Sequence, residues 1–233
     1  MTDQIQTAVE TLTVTIDGPA ASGKGTVAQR VAEVLGFNYL DSGALYRLVG
    51  YAALNDGIAW TDEARLEALA CNLPAEFRNG DILLSGEVVT EGIRTETCSD
   101  AASRVAAVPS VRAALLAWQR KSRVRPGLVT DGRDMGSVVF PDATLKIFLT
   151  ASAEARARRR YKQLKDKGIS ANLSSLLRDL TDRDARDASR SVAPLHQSPE
   201  AHLLDTTDMT VLDAVEQVRL AAHDKGLVLG AGA

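Results

Sequence analysis

Residues 14–36, VTIDGPAASGKGTVAQRVAEVLG, restrict the fold of this chain more than any other stretch. The β-branched apolar run at residues 11–16 reads as a buried strand, and Asp17-Gly18 ends it in a turn. Val27, Val31, Val34 and Leu35 then recur at i, i+4, i+7 and i+8 before Gly36, so a helix with one apolar face follows the turn and stops there. Between strand and helix, Gly18 to Lys24 fits GxxxxGK. In that setting backbone N–H groups around the loop and at the helix N-terminus face phosphate oxygens, while the lysine reaches the β and γ groups. Gly18, Pro19, Ala20, Ala21, Ser22, Gly23, Lys24, Gly25 and Thr26 therefore form a candidate phosphate cradle. Gly25 stands where a hydroxyl usually follows the lysine. Thr26, one position later, is left as the candidate ligand on the Mg²⁺ side, acting through water.

Further short strands are expected at 38–40, 128–131, 145–150 and 202–205, with helical patterns between most of them. That alternation implies a mostly parallel sheet covered on both faces. Residues 61–125 interrupt it. There, Asn79-Gly80 and Ser85-Gly86 separate short apolar runs as in a small antiparallel meander, and helices are expected near 98–106 and from Pro109, with Val111, Leu115 and Trp118 on one face. The segment reads as an insertion in a core made of residues 1–60 and 126–233. The last residues, GAGA, read as a frayed tail.

A chain of 233 residues with 45% hydrophobic composition can bury a core, and its net charge of −3 provides no general basic field for DNA or RNA. Two cysteines, Cys71 and Cys98, make no disulfide framework and read as small buried residues in a reducing compartment. The opening MTDQIQTAVE lacks a basic start and no long apolar run occurs, so a cytoplasmic location without a membrane is expected. Basic residues nevertheless crowd into 156–190, which suits a small, highly charged anion. Arg158, Arg159 and Arg178 read as mostly solvated members of that group. Trp60 and Trp118 read as packing residues, and His196, His202 and His223 take no catalytic part.

In LVTDGRDMG, Asp131 falls at a strand's carboxyl end, where open α/β sheets bind ligands, and it suits water around Mg²⁺. Arg133 and Asp134 crowd the same point. In LDSGALYR, Ser42 is placed as a helix N-cap and Arg47 lies a turn later, which beside the cradle marks a second phosphate site. No NKxD element occurs, and no DExx box follows a convincing strand.

GPAASGKGT, DSGALYR, IRTETCSDAASRVAAVPSVRAALLAWQR, DGRDMGSVVFPDA and RDARDASRSVAPL together resemble the bacterial cytidylate kinases, and the likeness runs from about Val14 to Val218. The cradle is shared by nucleoside monophosphate kinases in general, whereas DSGALYR, DGRDMG and RSVAPL are more specific. The resemblance implies a P-loop NTPase fold, with a five-stranded parallel sheet flanked by helices. The 61–125 insertion would bind the nucleoside monophosphate, and an arginine-rich helical lid would lie near 154–190. It implies ATP as co-substrate, held by Lys24 and the loop, and CMP or dCMP as acceptor. Arg47 and Arg133 would clamp the acceptor phosphate. Ser103, Arg112 and Asp134 would read the cytosine edge, with Arg183 and Asp187 at the sugar and Arg190 close by. Arg156 and Arg160 would begin the lid, and Lys24, Arg133, Arg156, Arg160 and Arg183 would act on the transferred group with Mg²⁺ present. A monomer without nucleic-acid partners is expected. Two other readings stay open: a kinase for a different small acceptor, and an ATPase that binds RNA through its arginine segment.

Overall fold

A computed structural model describes residues 11–78 and 80–227. The chain runs β1 (Leu12–Asp17), α1 (Lys24–Leu35), β2 (Asn38–Asp41), α2 (Ser42–Asn55), α3 (Glu63–Cys71), β3 (Ala75–Arg78), β4 (Asp81–Leu84) and β5 (Glu87–Val88). It continues through α4 (Glu96–Val105), α5 (Pro109–Lys121), β6 (Gly127–Gly132), β7 (Leu145–Thr150), α6 (Ala153–Asp166), α7 (Leu173–Ala188), β8 (His202–Asp205) and α8 (Val211–Asp224). A 3₁₀ turn at Gly92–Arg94 precedes α4, and a π-helical turn at Met135–Val139 follows β6.

The main sheet has five parallel strands in the order β2-β6-β1-β7-β8. Side chains alternate across it. Val14 and Ile16 of β1 join Val27 and Val31 of α1 and Ala214 and Val218 of α8 in one buried cluster. On the opposite face, Leu40, Leu128, Met135, Val139 and Phe140 pack against Leu116 and Trp118 of α5. This two-sided burial is the parallel α/β arrangement that the alternation predicts. Because β1 is central, the loop after it emerges mid-sheet at the carboxyl end, among the ends of β2, β6 and β7.

Residues 63–121 hold α3, the antiparallel sheet β3-β4-β5, α4 and α5. Helix α2 carries this part of the chain. Leu45 and Val49 pack with Leu66, Val105, Val111 and Leu115, while Ala44 and Leu48 pack with Ile82, Ile93 and Cys98. The expected meander is present, with Ser85 and Gly86 both at positive φ in its second turn; Asn79 of the first turn lies outside the described residues. Trp60 and Trp118 pack against the cluster around Leu115, and Trp118 also meets the ring of Phe77 at 5.5 Å.

Three expectations are corrected. Cys98 is buried but Cys71 is exposed, because it ends α3 on the side away from Leu66 and Ala70. Val34 is exposed, since the apolar face of α1 runs through Val27, Ala28, Val31, Ala32 and Leu35. Asp41 is the N-cap of α2, its side chain accepting from the Ala44 N–H at 3.0 Å, and Ser42 is already helical. The opening MTDQIQTAVE and the GAGA tail lie outside the described residues.

Candidate active site

The cradle's shape follows from two glycines. A Cβ on Gly18 would lie 2.0 Å from the Leu149 carbonyl oxygen, so only glycine lets the loop pass that close to β7. Gly23 has φ 93° and forms the N-cap of α1, which lets the helix begin at Lys24 with its N-terminus toward the loop. A loop whose N–H groups face inward turns carbonyls outward, and these need donors. Arg156 donates to the Ala20 oxygen at 3.0 Å and Arg159 to the Ser22 oxygen at 3.0 Å. Arg159 also donates to the Thr206 hydroxyl and carbonyl. It is thus pinned to the cradle, while Arg158 and Arg178 are exposed. Two of the three are thus solvated, in keeping with the mostly solvated reading, and Arg159 is the exception.

Arg156 is buried and committed to the Ala20 and Ala151 carbonyls and to an ion pair with Asp184 of α7 at 2.7 Å. It supports the loop from behind and does not line the cavity described next. Gly18 and Pro19 also lie outside its walls.

A cavity of about 1150 Å³ opens between the cradle, the carboxyl ends of β2 and β6, and α4 and α7. Lys24 enters it with Nζ 3.3 Å from the Pro19 carbonyl. Asp131, at the end of β6, accepts from the Tyr39 hydroxyl at 2.7 Å, and Ser42 donates to the Asp131 carbonyl at 2.7 Å. Burial and Arg133 drive the Lys24 pKa down, while burial and Asp41 drive that of Asp131 up. Each of this pair opposes the other's shift. Thr26 sits at the rim, exposed.

Across the cavity, Arg47 donates to the Ile93 carbonyl at 2.8 Å and to the Ser99 hydroxyl at 3.2 Å. Arg133 pairs with Asp187 at 2.7 Å, and Arg190 binds the other Asp187 oxygen. Burial raises the Asp187 pKa, but Arg133, Arg190 and Arg183 outweigh it and bring the carboxyl to about 2. Arg183 bonds the Ser99 hydroxyl, and burial together with Arg133 lowers its pKa to about 9. Its Nε and that of Arg190 are buried without a partner among the described residues. Three guanidiniums, those of Arg133, Arg183 and Arg190, around one fully committed carboxylate leave positive charge for an anion to answer.

Farther along the wall, Arg112 of α5 pairs with Asp134 in a buried contact, its guanidinium 5.6 Å from the centre of the Tyr46 ring. Burial raises the Asp134 pKa against the pull of Arg112. Ser103 of α4, in this same wall, has a buried hydroxyl with no partner among the described residues. A carboxylate, a guanidinium and a free hydroxyl are a donor and acceptor set suited to a planar polar ring. At the cavity's edge Arg160 pairs with Glu96 and Lys167 with Glu91, and outside its lining Arg186 pairs with Asp100, tying α6 and α7 to α4 and the chain before it.

The structure thus gathers Ser42, Arg47, Ser103, Arg112, Asp131, Arg133, Asp134, Arg160, Arg183, Asp187 and Arg190 around the cradle, with Arg156 behind it. Sequence reasoning assigns no site role to Asp17, Tyr39 or Arg159. Two had a usable signal. Tyr39 shares a strand face with Asp41, and Arg159 lies at i+3 from Arg156 on one helix face, while Arg158 does not.

A family model described as cytidylate kinase matches residues 14–224. The cytidylate kinase of Chromobacterium violaceum is 61% identical over 205 residues, covering 88% of this chain and 92% of that protein. That of Azotobacter vinelandii is 53% identical over 224 residues, covering 93% and 98%. Among solved structures, an uncharacterized protein from Eubacterium ventriosum aligns with a TM-score of 0.55 at 11% identity, over 92% of this chain and 99% of its own, a likeness of fold alone.

Proposed function

The chain belongs to the cytidylate kinase family and is an ATP-dependent nucleoside monophosphate kinase that phosphorylates CMP to CDP; on that premise we propose how its residues divide the work and extend its substrates to dCMP. The cradle Gly18–Thr26 holds the ATP phosphates, with Lys24 on the transferred group. Arg47 and Arg133 grip the acceptor phosphate. Ser103, Arg112 and Asp134 read the cytosine edge, and Arg183, Asp187 and Arg190 hold the sugar side. Residues 61–125 act as the acceptor-binding lobe, and the arginine-bearing helices of 154–190 as a lid.

An oxygen of the CMP phosphate attacks the γ-phosphorus of ATP, a new P–O bond forms, and the bond to the β,γ-bridging oxygen breaks to release ADP. The attacking phosphate is already ionised near neutral pH, so the reaction needs no protein base. Catalysis comes from alignment and from guanidinium and ammonium groups facing charge on the transferred group. Lys24, Arg133, Arg160 and Arg183 supply that charge, and Arg156 keeps the loop in shape. Asp131, with Asp41 beside it and Thr26 at the rim, presents oxygen donors of the kind Mg²⁺ takes. Among the described residues no group of three or more His, Cys, Asp or Glu could hold an ion unaided, so waters and the nucleotide's phosphates would complete the shell. When bound, Mg²⁺ would neutralise charge on the ATP phosphates. No helix of the described residues is long and apolar enough to cross a membrane. The enzyme is proposed to work as a monomer in the cytoplasm.

The observation that carries this reading is the surplus of buried guanidinium over carboxylate at one end of the cavity, beside the Arg112–Asp134 pair and the free Ser103 hydroxyl. The test is a coupled assay of ADP formation with CMP, dCMP, UMP, dTMP or AMP as acceptor, with an RNA arm as control. CMP and dCMP should lead. Preferred turnover with another acceptor, or stimulation by RNA in its place, contradicts the reading.

A further inference from the structure

We propose that Asp17 is a positioning residue that fixes the base-reading loop to the strand carrying the ATP cradle, and so leaves Asp134 free to face the acceptor base. Asp134 stands at the N-cap of the π-helical turn Met135–Val139, where an aspartate ordinarily turns its carboxylate back onto the first free N–H groups. It makes no such bond and pairs with Arg112 at the cavity wall. Asp17 makes the caps from another strand: one carboxylate oxygen accepts from the Met135 N–H at 2.8 Å and the other from the Gly136 N–H at 2.8 Å. Both of its oxygens are used, and the residue is buried. The two loops are stitched again by the Gly18 N–H, which donates to the Gly132 carbonyl at 3.3 Å. The stretch bearing Arg133 and Asp134 is thus tied to the strand end from which the cradle begins.

The arrangement has a direction. Asp17 has its backbone set by parallel pairing with Gly132 of β6 and Phe148 of β7, so removing its carboxylate leaves the start of the cradle in place. What loses its anchor is the turn at 135–136, one residue beyond Asp134. The effect should therefore fall on acceptor use and base choice more than on ATP binding. Gly136 reports the same contact from the other side. A Cβ there would lie 2.7 Å from the Thr15 hydroxyl and 3.2 Å from the Lys146 chain, so alanine pushes the turn away from Asp17 without altering the carboxylate.

This inference rests on the CMP kinase reading, and wild-type turnover with CMP, measured alongside, separates failure of that reading from failure of this one. Asp17→Asn keeps one acceptor and sets an N–H₂ against a backbone N–H. Loss of one buried bond of this kind corresponds to about a tenfold change. The expected result is a fall of about tenfold in kcat/KM for CMP and a higher UMP to CMP ratio, with ATP affinity by equilibrium titration without acceptor changed less than about threefold. Gly136→Ala should move the ratio in the same direction, which keeps the test available if Asp17→Asn does not fold. In the double variant with Asp134→Asn, the effect on the ratio should be less than additive, since both act through one carboxylate. Equal losses toward ATP and CMP with an unmoved ratio, or additive effects in the double variant, would overturn the proposal.

Discussion

The Tyr39 hydroxyl donates to Asp131 at 2.7 Å, and both border the space beside Gly25, where a Cβ would lie 3.6 Å from the phenol oxygen and 3.7 Å from the carboxylate. The hydroxyl that usually follows the cradle lysine is absent, and a tyrosine from β2 reaches in near that position. Its bond favours the ionised form of a carboxylate whose pKa burial and Asp41 push up. Tyr39→Phe should raise that pKa further. Where activity needs Asp131 ionised, the acid limb of the kcat/KM profile should move to higher pH, and a limb that stays in place counts against a role for this bond.

Arg159 holds the Ser22 carbonyl outward and anchors to Thr206. Arg159→Ala should weaken ATP binding by about five- to tenfold, the scale of one buried hydrogen bond, while leaving CMP binding nearly unchanged. Titrations of each nucleotide alone would separate the two. Equal losses would mean that the residue supports the whole domain and not the loop.

Asp187 gives a pH signature of stability. Its folded pKa of about 2 lies below the ordinary 3.8, so the folded state binds the proton more weakly than the unfolded state. The stabilisation is present above pH 3.8 and is lost as pH falls through about 2. Its size is roughly 2 kcal/mol. Asp187→Asn should be less stable at neutral pH and show a flatter decline between pH 4 and 2, by denaturant midpoints at each pH. A parallel decline would place the acid-sensitive group elsewhere.

Arg160 reaches Glu96 across the mouth of the cavity. If this contact helps close the site, Glu96→Gln should leave the thermal midpoint nearly unchanged, as expected for an exposed pair, yet raise ATP hydrolysis in the absence of acceptor. Hydrolysis at the wild-type rate would assign closure to other contacts.

The cradle, the strand ends and the insertion were legible because each is a local pattern: a period of four in α1, apolar runs in β1 and β6, glycine turns in the meander. Most of the cavity's charged residues were legible through motifs resembling a known family. What escaped depends on contacts distant in the chain. Nothing near Asp17 indicates that its partners are 118 and 119 residues away. In the run Arg158-Arg159-Arg160 the three side chains are chemically alike, and only helix phase and the neighbouring loop give them different tasks. Ser42 illustrates the opposite error: serine suits an N-cap by composition, but β2 extends to Asp41, whose side chain caps α2 and frees the serine to bond Asp131.

The central claim is that the buried carboxylate of Asp134 selects cytosine, because it accepts from an amino group where uracil presents a carbonyl oxygen. An opposed polar group in a buried site costs about 1 to 3 kcal/mol, or roughly 5- to 150-fold in discrimination. Asparagine can turn its amide nitrogen toward the uracil oxygen, while Arg112 and Ser103 keep the exchange partial. The most direct test is kcat/KM for CMP and UMP in the wild type and in Asp134→Asn at fixed ATP and Mg²⁺. The variant should lose activity with CMP and raise the UMP to CMP ratio; an unchanged ratio with both substrates reduced alike would show that Asp134 holds the loop in place and does not read the base.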